Sequence, residues 1–330
     1  LRSQVTAGRS APEPVTAVFE SAGSWLPAGL SKVEQGLRQA VESEGPLTPD
    51  AVATLTAGGK RMRPMLVLLC AGPDGAAHAV RPAVAVEMIH MASLVHDDVL
   101  DRAPLRRGKP TVFAQSGRDR ATALGDRLFA TTFALPAKSG DGFAISELSD
   151  TAVDLVRGEL MQRRGAFDLA LPEEDYLERC RLKTGRLFAA ACVLGCSTAS
   201  SAQSRAMEDF GHRIGLAFQM LDDVLDVSGP AERTGKARGT DLLDGTVTLP
   251  VIVAISAEPE LAETDLHRLD EDSAAVLCDR IAATGSLEVV RRRAMDLIDE
   301  AKAGLVSAGL EEEQSRLLEL IADGVVLRYS

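Results

Sequence analysis

Aromatic side chains are scarce, cysteines are few and unpaired in pattern, and positive charge is in deficit. Aromatics make up 4% of the 330 residues, so the core must be built mainly from Leu, Val, Ala, Ile and Met. Hydrophobic residues reach 45%, enough for a substantial interior, and the Ala and Leu bias favours helix. The five cysteines, Cys70, Cys180, Cys192, Cys196 and Cys278, include no CxxC pair, and their odd number argues against a disulfide framework. Cys192 and Cys196 share one helical face in an apolar stretch and read as core thiols rather than metal ligands. A reduced, cytoplasmic setting is expected. No apolar run reaches the roughly 18 residues of a spanning helix, and the first residues lack the order of a secretory signal. Finally, 36 basic against 48 acidic residues give a net charge of -12. That argues against a nucleic-acid partner, whose affinity rests on phosphate neutralisation.

What is present reads as helix almost throughout. Residues 1–14, with Pro12 and Pro14, are expected to be a disordered arm, and 15–330 a single domain, although the length alone would admit two. Pro64 suits the first turn of a helix. Val84, Met88, Met91 and Val95 then recur at helical steps on the way to Asp97. Further helices are expected over 121–135, 146–164, 173–194, 205–225, from Pro250, over 265–285 and 286–305, and from Glu311. The stretches 138–142 and 228–245 are Gly-rich and polar, hence loops. No alternating strands support a parallel sheet, so the fold class is all-α.

One pentapeptide occurs twice. Asp-Asp-Val-Leu-Asp stands at 97–101 and again at 222–226, each after an apolar helical run. Asp97 and Asp101 share a helix face, as do Asp222 and Asp226, while Asp98 and Asp223 point about 100° away. Like carboxylates at this spacing destabilise a helix, and at a helix C-terminus they oppose the dipole. Either these are solvated helix ends or they need a counter-charge. The duplication favours hard divalent cations, and magnesium often combines one or two carboxylates with substrate phosphates.

Basic groups stand where polyphosphate would want them. Gly58-Gly59-Lys60-Arg61-Met62-Arg63 leads into a helix N-terminus, which favours an anion. Arg106-Arg107-Gly108-Lys109 follows the first acidic cluster, and Lys183-Thr184-Gly185 and Lys236 complete the set. Each alone would pass as solvated surface. Around two acidic clusters they suit a pair of phosphate-bearing substrates, with Arg for bidentate contacts and Lys as a point charge. His90 lies two turns before Asp97, on nearly the same face, and reads as a hydrogen-bonding neighbour of the site.

These motifs together resemble the trans-isoprenyl diphosphate synthase (polyprenyl synthetase) family. The resemblance runs through GGKRMRP at 58–64, EMIHMASLVHDDVLDRAPLRRGKPT at 87–111 and GDRLFA at 125–130. It continues through VRGEL at 156–160, KTGRLF at 183–188 and FQMLDDVLD at 218–226, then GK, GTDL and TLP. It implies a single large helical bundle around a deep central cavity, the isoprenoid synthase fold, in a homodimer. It also implies several Mg2+ ions, and condensation of isopentenyl diphosphate with an allylic diphosphate. By position Asp97, Asp101, Asp222 and Asp226 are the implied metal ligands, with Asp98 and Asp223 in support. Arg106, Lys183, Thr184, Gln219 and Lys236 are implied contacts of the allylic diphosphate. Lys60, Arg63, His90 and Arg107 are those of isopentenyl diphosphate. Arg102-Ala103-Pro104 departs from the smaller polar residues the family often has there.

The product chain is expected to grow along the helix preceding Asp97, past Ser93 and Ala92, then Met88 and Ile89, then Ala85. In the resembling family a bulky residue near the Ala92 position stops growth early. Ala85 lies roughly 18 Å from Asp97 at about 1.5 Å per residue, room for on the order of four isoprene units. A geranylgeranyl or longer product is therefore expected. Two other readings stay open: a terpene cyclase, whose second motif normally carries Asn, Ser or Thr and Glu, and a non-catalytic subunit of a heteromeric synthase.

Overall fold

The computed structural model describes residues 13–42, 45–196, 200–229 and 238–327. The helices are α1 (Glu13–Ala22), α2 (Trp25–Val41), α3 (Thr48–Thr56), α4 (Met62–Leu100), α5 (Val112–Ser116), α6 (Arg118–Ala137), α7 (Gly142–Arg164) and α8 (Glu173–Cys180). They continue as α9 (Arg186–Gly195), α10 (Ser201–Ser228), α11 (Thr240–Leu243), α12 (Leu249–Ala257), α13 (Glu271–Ala283), α14 (Ser286–Leu305) and α15 (Glu312–Leu327). The only strands among the described residues are β1 (Leu105–Arg106) and β2 (Lys109–Pro110), an antiparallel hairpin. The all-α expectation holds. The expected arm lies outside the described residues except for Glu13 and Pro14, which belong to α1.

One apolar core runs from Val18 in α1 to Val325 in α15. α4 and α10 are its two principal helices, and α9 lies against both. From Ala83 to Ala92, α4 is buried on all sides except at His90, and every residue of α9 is buried. A helix that is apolar all round belongs inside. The ends of α9 fix its direction. Gly195, at its C-terminus, abuts Val67 and Cys70 early in α4, while Phe188, near its N-terminus, abuts Gly211 and Gly215 in α10. Arg63, at the start of α4, lies over the Phe188 ring, so the N-terminal end of α9 faces the start of α4 and the cations around His90.

Several helices begin or end a few residues from the expected bounds, and the short α11 lies inside the stretch 228–245 expected as a loop. Three other differences have a local reason. α4 is broken at Gly72, whose left-handed φ of 68° precedes Pro73; the Gln314 amide nitrogen donates to the carbonyls of Leu69 and Cys70, at 2.9 and 2.7 Å. Such a break must be satisfied from elsewhere. The expected helix over 265–285 begins only at Glu271, because Asp270 and Ser273 form a capping box. The expected helix over 173–194 carries one turn of π-helix at Arg181–Gly185.

Candidate active site

The first acidic motif occupies the last turn of α4. Asp98 is buried, and its Oδ1 accepts from Arg106 Nε at 2.6 Å. Arg106 is brought there by the β-hairpin, whose turn residues Arg107 and Gly108 both take positive φ, 54° and 74°. That is the turn geometry that matches strand twist. Lys109 Nζ anchors the hairpin by donating to the Thr56 carbonyl at 2.9 Å. Asp101 caps α4, and its Oδ1 accepts from Arg163 Nη2 at 2.7 Å. Burial pushes the Asp97 carboxyl up to about 6; Lys183 opposes the shift, while Glu159 and Asp101 add to it.

The π turn joins this cluster to the second one. It is wedged between two glycines: a Cβ on Gly158 of α7 would lie 2.7 Å from the Lys183 backbone nitrogen, and one on Gly215 of α10 would lie 2.8 Å from Gly185 Cα. Lys183 Nζ donates to Glu159 Oε2 at 2.6 Å and to Gln162 Oε1 at 3.1 Å, on the side of Asp97 and Asp101. The next residue faces the other way. Thr184 Oγ1 donates to Gln219 Oε1 at 2.7 Å, and Gln219 Nε2 donates to Asp223 Oδ1 at 2.8 Å. Tyr176 donates its hydroxyl to Asp223 Oδ2 at 2.6 Å. Burial, with Asp241 close by, still pushes Asp223 up to about 8. Asp226 Oδ2 accepts from the Asp241 backbone N–H at 3.2 Å. Successive residues of one turn therefore reach both aspartate motifs. Extra residues in a π turn often mark functional sites.

A cluster of cationic side chains adjoins the first motif. His90 is held well below its ordinary pKa, first by burial and then by Arg63, Arg107, Arg106 and Arg61, so its imidazole is neutral. Arg61 is ion-paired with Glu34 and Glu87. The Arg63 guanidinium lies over the Phe188 ring, 4.6 Å from its centroid. A Cβ on Gly59 would sit 2.9 Å from Arg107 Nη1, so the loop before α4 and the hairpin turn touch.

The donor chemistry fits hard divalent cations. Asp97 and Asp223 are raised by burial beside other carboxylates, as expected where negative charge awaits a partner. Among the described residues no three His, Cys, Asp or Glu side chains converge closely enough to cage an ion alone. Magnesium does not need such a cage, since phosphate and water complete its shell.

A sequence model described as polyprenyl synthetase matches residues 46–278. The chain belongs to the polyprenyl synthetase family. It is 45% identical over 240 residues to heptaprenyl diphosphate synthase component 2 of Geobacillus stearothermophilus, covering 71% of this chain and 75% of that one. It is 39% identical over 246 residues to nonaprenyl diphosphate synthase of Mycobacterium tuberculosis, with 72% of each covered. The fold matches a polyprenyl synthase from Caulobacter crescentus CB15, complexed with calcium and isoprenyl diphosphate, with a TM-score of 0.88. Identity there is 33%, over 98% of this chain and all of the other. The protein is thus a prenyltransferase with the isoprenoid synthase fold.

Within the synthase, the residues nominated from sequence fall into connected groups. Asp97, Asp101 and Lys183 are electrostatic neighbours, Asp98 is tied to Arg106, and Thr184, Gln219 and Asp223 form a chain. Asp222 is exposed on the last turns of α10, and Lys60 on the loop before α4. Lys236 lies outside the described residues. Ala85, Met88, Ile89 and Ala92 are buried in α4, and Ser93 donates to the His90 carbonyl at 2.9 Å. The sequence reasoning did not nominate Glu159, Gln162, Arg163, Tyr176 or Asp241. Glu159, Gln162 and Arg163 stand at helical spacing on one face of α7, a signal that was there to be read. Tyr176 offered none.

Among the described residues no helix is long and apolar enough to cross a membrane. The five cysteines are buried and unpaired by disulfides.

Proposed function

We propose that this prenyltransferase is Mg2+-dependent and condenses isopentenyl diphosphate with an allylic diphosphate, giving an all-trans polyprenyl diphosphate of geranylgeranyl length or longer. The observation that carries the reading is the π turn, whose Lys183 is an electrostatic neighbour of Asp97 and Asp101 and whose Thr184 is joined to Asp223 through Gln219. A cation and a hydroxyl on one turn, each associated with a different carboxylate cluster, suit a diphosphate lying between them.

Bound Mg2+, held by Asp97 and Asp101 on one side and Asp222 and Asp226 on the other, would neutralise the departing diphosphate as a Lewis acid. Lys183, Thr184, Gln219, Arg106 and Lys236 orient that group, and the fixed charge of Lys183, Arg106 and Lys236 stabilises it as the allylic C–O bond breaks. The bonding electrons leave with the diphosphate and the allyl fragment becomes a delocalised cation. Lys60, Arg63, Arg107 and neutral His90 hold isopentenyl diphosphate with its double bond towards that cation. The double bond attacks, a new C–C bond forms, and a proton passes from the adduct to the released diphosphate. Asp98 and Asp223, pinned by Arg106, Tyr176 and Gln219, keep the motifs in register. The apolar walls exclude the water that would quench the cation.

Product length is set by the column from Ser93 and Ala92 through Met88 and Ile89 to Ala85. The small residues at 92 and 93 support a long product, as do relatives named for heptaprenyl and nonaprenyl chains. Val153, Val156 and Leu160 form an apolar stripe on α7, 50–56% exposed, which supports a homodimer. We take 15–330 as one domain, and the buried thiols suit a reducing cytoplasm. A second reading rests on the relative named as component 2: this chain would need a second subunit to turn over. The repeated Asp-Asp-Val-Leu-Asp disfavours a cyclase. The test is incubation of the purified chain with Mg2+, labelled isopentenyl diphosphate and each allylic primer, followed by chain-length analysis. Consumption of isopentenyl diphosphate into a ladder of longer products supports the proposal. Inert protein rescued by a second chain supports the component reading, and primer consumption without isopentenyl diphosphate supports a cyclase.

A further inference from the structure

Arg163 stands in the last turn of α7, where a cation is favoured by the helix dipole. It makes two carboxylate contacts, one within its own helix and one across the site. Its Nε donates to Glu159 Oε1 at 2.8 Å, one turn back on its own helix, and its Nη2 donates across the site to Asp101 Oδ1 at 2.7 Å. Glu159 in turn accepts from Lys183 at 2.6 Å through its other oxygen. The result is an alternating row, Asp101–Arg163–Glu159–Lys183, spanning the end of α4, the end of α7 and the π turn.

Burial alone would raise Glu159, but Lys183 and Arg163 hold it ionised. The Arg163 side chain is 41% exposed and that of Asp101 35%, so the pair is weak enough to part. It nevertheless occupies a carboxylate oxygen on a proposed metal ligand, and a guanidinium and a divalent cation at one carboxylate repel each other.

We propose that Arg163 is a resident counter-charge for the first aspartate motif. It holds Asp101 in place while the site is empty and withdraws to Glu159 when a divalent cation takes Asp101. Arg163 is thus a positioning residue, and it makes cation binding weaker than the carboxylates alone would give. The proposal rests on the metal reading above.

Direct binding separates the two. Mn2+ is titrated by electron paramagnetic resonance into the wild-type chain, R163Q, R163K and the D97N/D101N double variant, with and without inorganic pyrophosphate. R163Q is expected to bind Mn2+ roughly two- to fivefold more tightly, the size of one half-exposed charge removed, with R163K in between. Its metal-free melting temperature is expected to fall and to recover on adding Mn2+. Wild-type binding that D97N/D101N removes but R163Q leaves unchanged or weakens overturns the counter-charge role. Unchanged Mn2+ affinity with weakened pyrophosphate also overturns it, making Arg163 a phosphate contact. A wild type whose Mn2+ binding ignores D97N/D101N sinks the metal reading itself, and this proposal with it.

Discussion

At Gly158, stability and catalysis should respond differently to one added methyl group. In the G158A variant the new Cβ would stand 2.7 Å from the Lys183 nitrogen and 3.0 Å from Lys183 Cβ, where ordinary contact begins at 3.4 Å. The π turn must therefore retreat by about 0.7 Å. Two energies oppose each other. Ala gains about 0.8–1 kcal/mol over Gly inside a helix, whereas overpacking costs about 1–3 kcal/mol. The net is a loss of about 0–2 kcal/mol. An unfolding entropy of about 2.1 cal/mol/K per residue gives roughly 0.7 kcal/mol/K for a chain of this length, so Tm falls by no more than about 3 °C. Catalysis should suffer more, because the displaced backbone carries Lys183 and Thr184, and a misplacement near 1 Å can cost about 100-fold. Steady-state turnover of isopentenyl diphosphate alongside thermal unfolding reads both quantities. The expected outcome is a kcat lowered by about ten- to a hundredfold in a protein that melts almost normally. A raised Tm with wild-type kcat would refute the claim that Gly158 is required by the close approach of the turn.

Three further outcomes are expected. A92F should shorten the product, because the ring fills the column one turn beyond the first motif; an unchanged product distribution in chain-length analysis removes α4 as the ruler. H212N should flatten the acid side of the stability curve. Burial, with Arg181 and Arg186 close by, lowers His212 to about 4, and its Nδ1 is buried without a hydrogen-bond partner among the described residues. A depressed histidine adds stability that is complete above its unfolded value near 6.5 and is lost as pH falls towards 4. Unfolding free energies from urea titration at pH 7 and pH 5 should therefore differ less in H212N than in wild type, by on the order of 2 kcal/mol; equal differences contradict the assignment. V156E and L160E, on the exposed stripe of α7, should convert the expected dimer to monomer by light scattering, and an intact dimer places the interface elsewhere.

The sequence carried the helical class and both aspartate motifs because their signals are local. Asp97 and Asp101 share a face by helix spacing alone, and repetition at 222–226 marks the second motif. The π turn was not legible, since nothing in Arg-Leu-Lys-Thr-Gly distinguishes it from the α-helix expected through 194. It exists where α7 and α10 press glycines against it, a tertiary cause. Tyr176 was hidden for the same reason: 47 residues separate it from the carboxylate it supports. The hairpin was missed because two-residue strands are too short for any alternation to show. Glu159 and Arg163 were readable at helical spacing, but became meaningful only once Lys183 and Asp101 were seen to reach them.

The claim on which the rest depends is that carboxylates of both motifs hold the cations that draw diphosphate from the allylic chain. It is tested most directly by turnover of labelled isopentenyl diphosphate in the folded D97N/D101N variant at saturating Mg2+. Loss of condensation by several orders of magnitude, with Tm kept near wild type, is the predicted result. Condensation at an undiminished rate would contradict it.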